Sequence, residues 1–79
     1  MLYVYILRSI SCPWRHYIGV TRNPDRRLSA HNAGRSIHTA KYRPWDIIVA
    51  FRFQDKARAF SFERYLKSSS GRAFAKKHF

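Results

Sequence analysis

Carboxylates are scarce in this chain of 79 residues, and their scarcity limits the metal chemistry open to it. The acidic side chains are Asp25, Asp46, Asp55 and Glu63. Enzymes that cleave phosphate esters with two metal ions concentrate carboxylates around them, so a site of that kind is disfavoured. If the chain acts on nucleic acid, the composition favours one ion held by one carboxylate, with water and phosphate in the other positions, as Mg²⁺ prefers.

Glu63 is the carboxylate with the most unusual surroundings. It falls between Phe62 and Tyr65-Leu66, on or near the apolar side of a predicted helix. A solvated glutamate that pairs with Lys67 one turn later, worth about 0.2–0.5 kcal/mol, explains it as well. Composition alone favours this second interpretation.

Arg27 and His31 are four residues apart on another predicted helix and therefore share one face. They could hold one phosphate together. The alternative is that both are solvated positions on a basic helix, as we expect for Arg22 and Arg26.

Tyrosines on the first two predicted strands are candidate proton acceptors. If the turn between the strands is centred near Cys12, residue 7 lies opposite residue 17, and Tyr5 shares a face with Tyr17. Strand tyrosines are more often core or edge fillers, and a phenol with a pKa of about 10 is a poor base unless a cation or metal lowers that pKa. The eleven arginines of the chain make such lowering plausible.

The charge balance points to a polyanionic partner. Sixteen Lys and Arg side chains against four Asp and Glu give a net charge of +12, while 46% hydrophobic residues suffice for one small core. We therefore expect a single domain over residues 1–79 that binds nucleic acid. An anionic-membrane binder is disfavoured because the charge is spread over strands and loops rather than along one amphipathic helix.

A basic stretch over residues 35–46 interleaves cations with an indole, and a second indole, Trp14, lies in the predicted hairpin turn. Bases of a single strand or of distorted DNA can stack on such rings. Trp45, which follows Pro44, is the better candidate for core packing. The cations predicted to bind nucleic acid here are Arg35, His38, Lys41 and Arg43.

Two further features suggest a cytoplasmic protein. Cys12 is the one cysteine, so no internal disulfide can form, and no Cys/His cluster has zinc-site spacing. The apolar N-terminal run reaches Arg8 after seven residues, which is too short for a signal peptide or a membrane span.

The elements that must position these residues follow from hydrophobic pattern and breakers. The pattern predicts an α+β domain in the order ββαβα, with a possible further helical turn or two at the end: a small three-stranded antiparallel sheet with flanking helices. The predicted strands are 2–8, 16–21 and 47–53, the helices are 24–33 and 56–68, the stretch 35–46 is an irregular loop, and the last turns fall within 72–79.

Two motifs in order resemble the GIY-YIG nuclease domain, in particular its small stand-alone bacterial members. The first is Tyr3-Val4-Tyr5 followed by Tyr17-Ile18-Gly19-Val20-Thr21, with Arg27 ten residues after Tyr17. The second is the run 62–67 that contains Glu63, followed by Ser70-Gly71-Arg72. Tyr3-Val4 stands where the family's name-giving sequence has Gly-Ile.

The resemblance implies a metal-dependent endonuclease that hydrolyses phosphodiester bonds, with Mg²⁺ or Mn²⁺ on Glu63. Arg27 would neutralise charge in the transition state, and a tyrosinate or the metal would activate water. Which tyrosine is the base stays open. The implied catalytic residues are Tyr5, Tyr17, Arg27, His31 and Glu63. Besides the cations of the basic stretch, the predicted nucleic-acid contacts are Trp14, Lys67 and Arg72.

The expected substrate is DNA, single-stranded or structured, in repair, uptake or recombination, and no obligate protein partner is inferred. Many members of the family have a polar residue, often Asn, after the glutamate helix, where this chain offers only basic side chains. The rival hypothesis is a non-catalytic basic module that binds nucleic acid. Binding alone has no need of one acid inside a basic face, which favours the enzyme.

Overall fold

A three-stranded antiparallel sheet lies at the centre of the fold. The computed structural model describes residues 1–79. Strand β1 (Leu2–Ser9) lies between β2 (His16–Thr21) and β3 (Trp45–Phe53), and both neighbours run antiparallel to it. The α+β class and the three-stranded sheet are confirmed, although β3 begins two residues earlier than predicted.

The register of the first hairpin is the predicted one. Leu7 pairs with Tyr17 and Tyr5 pairs with Gly19, so both tyrosines share a face of the sheet. On the other side of β1, the partner of Ile6 is Val49 whereas that of Leu7 is Ile47. The extra residue, Ile48, forms a bulge that bends β3 locally.

The first two helices cover the chain between β2 and β3. Helix α1 (Pro24–Asn32) begins where the Asn23 side chain accepts a hydrogen bond from the backbone of Arg26, 3.1 Å away. It ends before Gly34, whose φ of 79° is a left-handed conformation that glycine tolerates best. Helix α2 (Ile37–Ala40) corrects the prediction of an irregular loop over 35–46. This turn contains no glycine or proline, and burial of Thr39 holds it in place.

The last two helices follow β3. In α3 (Lys56–Lys67), Asp55 caps the first turn by accepting hydrogen bonds from the backbone of Ala57 and Arg58 at 2.8 and 3.3 Å. Helix α4 (Ser69–His78) is longer than the predicted turn or two, because the Ser68 hydroxyl accepts a hydrogen bond from the backbone of Gly71 and caps it. No helix of the chain has the length and apolar character needed to cross a bilayer.

The sheet separates two small cores. On the face that we call the α3 face, Val4 and Ile6 pack against Ala59 and Leu66. On the opposite face, the α1 face, Tyr5, Leu7 and Trp45 form the buried cluster. Trp45 is therefore a core residue, as favoured from the sequence, whereas Trp14 is 75% exposed.

Candidate active site

Three aromatic rings from three different elements meet on the α1 face. The rings of Tyr5 on β1 and Tyr17 on β2 have centroids 6.2 Å apart, and the ring of His31 on α1 lies 6.0 Å from the first and 4.9 Å from the second. The sheet register and the position of α1 therefore bring three of the predicted catalytic residues together.

A buried chain of hydrogen bonds holds Tyr5 in place. Its hydroxyl lies 2.9 Å from Nε2 of His31, and Nδ1 of His31 lies 2.7 Å from Oγ1 of Thr39. All three residues are buried, and His31 is 1% exposed. His31 therefore fits neither interpretation open from the sequence, a phosphate-gripping residue or a solvated one: it lies behind Tyr5 with both ring nitrogens occupied.

Gly19 is the residue that lets the Tyr5 side chain cross the neighbouring strand. A Cβ atom at position 19 would lie 2.5 Å from the Tyr5 hydroxyl oxygen and 2.6 Å from Cζ. Gly19 is buried directly under the phenol, as its pairing with Tyr5 requires. The absence of a side chain at position 19 thus determines where the Tyr5 hydroxyl can lie.

Burial and the charge of Arg27 together set the electrostatics of the cluster. Burial raises the pKa of Tyr5, and although the Arg27 guanidinium opposes this, the charges of Tyr17 and Glu63 add to it. The interaction with Tyr5 raises the pKa of Arg27, and burial, with the Arg27 charge, lowers the pKa of His31. The expectation that the arginines lower a tyrosine pKa is therefore wrong for Tyr5, because desolvation outweighs the nearby cation.

Glu63 lies on α3 and acts on the same cluster through its charge. Its side chain is 19% exposed, and Oε2 accepts a hydrogen bond from Nζ of Lys67 at 2.8 Å, so the predicted pair is formed. The carboxylate is nevertheless close enough to raise the pKa of the Tyr5 phenol. No three His, Cys, Asp or Glu side chains gather to hold a metal at any point of the structure. One carboxylate suits a hard cation that keeps most of its waters, and not a zinc site.

A groove of about 890 Å³ lies at the β1–β2 turn, between the α3 face, the edge strand β2 and α4, and Tyr17 is among its lining residues. We call it the hairpin groove. The predicted contacts Trp14, Lys67 and Arg72 line it, whereas Arg35, His38, Lys41 and Arg43 do not. Arg43 instead donates a hydrogen bond to the carbonyl oxygen of Ala40 at 2.8 Å. The basic residues that line the groove are Arg8, Arg15, His16, Lys67, Arg72 and Lys76.

Four of those basic residues were not predicted from the sequence. Strand alternation offered a signal for Arg8, because it places this residue on the face of Val4 and Ile6. Nothing in the sequence brings Lys76 to the hairpin, because that depends on how α4 folds back on α3.

Comparison with known proteins decides the family. The model of the GIY-YIG catalytic domain matches residues 1–77. This chain belongs to the GIY-YIG family. Over 71 residues, 81% of the chain, it is 42% identical to the structure-specific endonuclease subunit SLX1 of Debaryomyces hansenii and equally to that of Candida dubliniensis, and it covers 20% and 25% of those proteins. It is 38% identical over 65 residues to the SLX1 homolog of Giardia intestinalis, covering 77% of the chain and 18% of that protein.

Family membership confirms the predicted class of enzyme, a hydrolytic nuclease. GIY-YIG nucleases generally depend on a divalent metal ion. The chain spans a quarter or less of the length of the relatives named above, so it matches only part of each of those proteins. The narrower bacterial, stand-alone subgroup stays a prediction.

Proposed function

We propose that this chain is the catalytic part of an endonuclease that cuts DNA next to an unpaired strand, with one divalent cation held by Glu63. The observation that carries the proposal is the cluster of Tyr5, Tyr17 and His31, in which the charges of both Arg27 and Glu63 act on the Tyr5 phenol. A nucleic-acid-binding module gains nothing from a half-buried carboxylate in a basic surface, because that charge repels phosphate.

The two tyrosines have different roles in this proposal. Tyr5 is buried, its hydroxyl is bonded to His31 and its pKa is raised, which suits a donor that orients other groups. Tyr17 is half-buried on an edge strand, where a water and a phosphate can approach. We assign Tyr17 as the residue that accepts the proton of the attacking water, with Arg27 beside it to stabilise the charge that develops.

His31 acts through Tyr5 rather than on the substrate. Because burial and the Arg27 charge lower its pKa, the imidazole is neutral at neutral pH and can accept a hydrogen bond from the Tyr5 hydroxyl. Thr39 then accepts the hydrogen bond from the other ring nitrogen. His31 is therefore a positioning residue.

The half-buried carboxylate of Glu63 fits a cation of the Mg²⁺ or Mn²⁺ type. When bound, such an ion would polarise the phosphate and lower the pKa of water. Lys67 forms an ion pair with Glu63. If a divalent ion bound Glu63, the Lys67 ammonium would be free to contact a DNA phosphate. Metal binding by Glu63 and phosphate binding by Lys67 are therefore compatible, although the two residues lie one turn apart on α3.

The names of the relatives bear on the substrate and on partners. They describe subunits of structure-specific endonucleases. We extend the preference for DNA structure to this chain, for which a junction between duplex and single strand is the simplest case. The prediction that no protein partner is obligatory is tested by assaying cleavage by the chain in the absence of any other protein.

The test is to incubate the chain with end-labelled single-stranded, duplex and flapped DNA in Mg²⁺, Mn²⁺ or EDTA. We expect cleavage with either metal, none in EDTA, and faster cutting of the flap than of the duplex. Glu63→Gln should abolish cleavage while retaining or strengthening binding, whereas the control Asp46→Asn, which removes an exposed carboxylate on β3, should cut normally.

Cleavage in EDTA, or by Glu63→Gln, would overturn the role of the metal. Tight binding of every DNA without cleavage in any metal, with a second subunit absent or added, would favour the binding module. Faster cutting of the matched RNA would move the substrate to RNA.

A further inference from the structure

The hairpin groove combines a basic surface with an apolar one. Its rims carry six basic side chains and its lining contains no carboxylate. Its floor is apolar, with Ile6 and Leu66 at the bottom and Ile18, Ile48 and Ala75 around them. The bulge in β3 places Ile48 on this floor.

Trp14 stands at the hairpin end of the groove with 75% of its surface exposed. Neighbouring Arg15 is held by packing on the ring of Tyr42, 4.4 Å from its centroid. The indole thus offers an open aromatic face at the hairpin end of the groove. The groove also shares Tyr17 and Lys67 with the candidate active site.

The basic rims and the apolar floor favour an unpaired nucleic-acid strand over a duplex. Duplex DNA presents phosphates to a protein surface but keeps its base faces stacked inside, so it has nothing to place on an apolar floor. An unpaired strand exposes both, since phosphates can follow the basic rims while bases lie on the floor and stack on an aromatic ring. The groove therefore matches a single strand in charge and in apolar surface.

We propose that the hairpin groove holds the unpaired strand of the substrate, leading away from the active site, with one base stacked on Trp14. This rests on the proposed function and specifies which part of the DNA each surface binds. Binding is therefore measured in EDTA, where failure of the groove can be told apart from failure of catalysis.

The first test measures the affinity of the 79-residue chain for a flapped DNA and for its blunt duplex. Trp14→Ala should bind the flapped DNA about 5- to 100-fold more weakly, because one base loses its stacking partner. Its affinity for the blunt duplex should hardly change. Trp14→Phe retains an aromatic face and should recover most of the affinity. Ile37→Ala, at a residue 91% exposed outside the groove, is the control.

The second test uses neighbouring lysines on α4. Lys76 lines the groove and Lys77 does not, although both are exposed. Lys76→Gln should reduce the slope of log K against log salt for flap binding by about 0.7, the value for one phosphate contact with a single strand. Lys77→Gln should leave the slope unchanged.

Equal losses on duplex and flap would show that the groove binds a duplex and would overturn the proposal. So would an effect of Lys77→Gln equal to that of Lys76→Gln, an unaffected Trp14→Ala, or displacement of the flap by poly-glutamate in a Trp14-dependent manner, which would make the occupant an acidic peptide. If the binding results hold while no DNA is cut in Mg²⁺ or Mn²⁺, the groove stands and the catalytic proposal fails.

Discussion

The two faces of the sheet are built from different chemistry. The α3 face buries Val4, Ile6, Ala59 and Leu66, with phenylalanines around them. The α1 face buries Tyr5 with Leu7 and Trp45, and beside them the polar side chains of His31 and Thr39. One face is held by apolar contact and the other largely by hydrogen bonds.

The difference shows how a small domain can keep polar groups inside. The Trp45 indole donates to the carbonyl oxygen of Thr39 at 2.7 Å, and the Asn32 side chain bonds both backbone groups of Trp45 at 2.6 and 3.1 Å. No buried side-chain nitrogen or oxygen lacks a partner. Because each buried polar group is satisfied, the α1 face can hold the aromatic cluster of the candidate active site, while the α3 face supplies apolar burial.

The largest effect on stability should come from the α3 face. Leu66 is fully buried, so Leu66→Ala should lower the free energy of unfolding by about 2–5 kcal/mol in a urea titration. Leu66 also lines the hairpin groove, so the variant should bind flapped DNA more weakly, but below its unfolding transition it should keep its single-turnover rate at saturating DNA. A rate that falls in proportion to stability would show that the two faces are not separate in function.

Arg27→Ala tests the α1 face, where we expect a loss of rate rather than of stability. Arg27 is exposed, so stability should change little, but removal of one preorganised charge donor should slow single-turnover cleavage by about 10²–10³-fold. Fifteen other Lys and Arg side chains remain to bind phosphate. Arg26→Ala, at its exposed neighbour on α1, is the control. Weaker binding with an unchanged rate would make Arg27 a docking residue.

Gly19→Ala should misplace one hydroxyl without removing any catalytic group. The added Cβ would collide with the Tyr5 phenol and displace it from His31. A shift of this size typically costs about 10²-fold in rate. Val20→Ala, on the α3 face of the same strand, should lower stability more than rate, and equal rate losses in the two variants would contradict the role of Gly19.

The smallest effect concerns pH. The folded chain lowers the pKa of His31, so below the ordinary histidine pKa of about 6.5 the unfolded state binds more protons than the folded state. The free energy of unfolding should therefore fall as the pH drops through this value, in the window between the ordinary and the lowered pKa. Urea titrations one pH unit above and about one below 6.5 should show the decrease.

His31→Gln should flatten that dependence, because glutamine cannot take up the proton. His38→Gln, on the exposed side of α2, is the matched control and should retain it. An identical pH dependence in the two variants would mean that other groups carry it.

The sequence by itself determined the local features. Strand alternation placed Tyr5 and Tyr17 on one face, Asn23 and Asp55 marked the starts of α1 and α3, and the spacing of Glu63 and Lys67 predicted their pair. Each of these depends on neighbours within a turn or across a tight hairpin, where short-range geometry suffices. The motif pattern also identified the family.

Only the tertiary structure decided what surrounds those residues. His31 is the buried partner of Tyr5 because α2 brings Thr39 to its other ring nitrogen, and the cations of the basic stretch lie outside the groove. Helix α4 placed Lys76 in the lining of the same groove as Trp14, some sixty residues away in sequence. Burial, and with it the raised pKa of Tyr5 and the lowered pKa of His31, depends on contacts between distant segments, which no local pattern records.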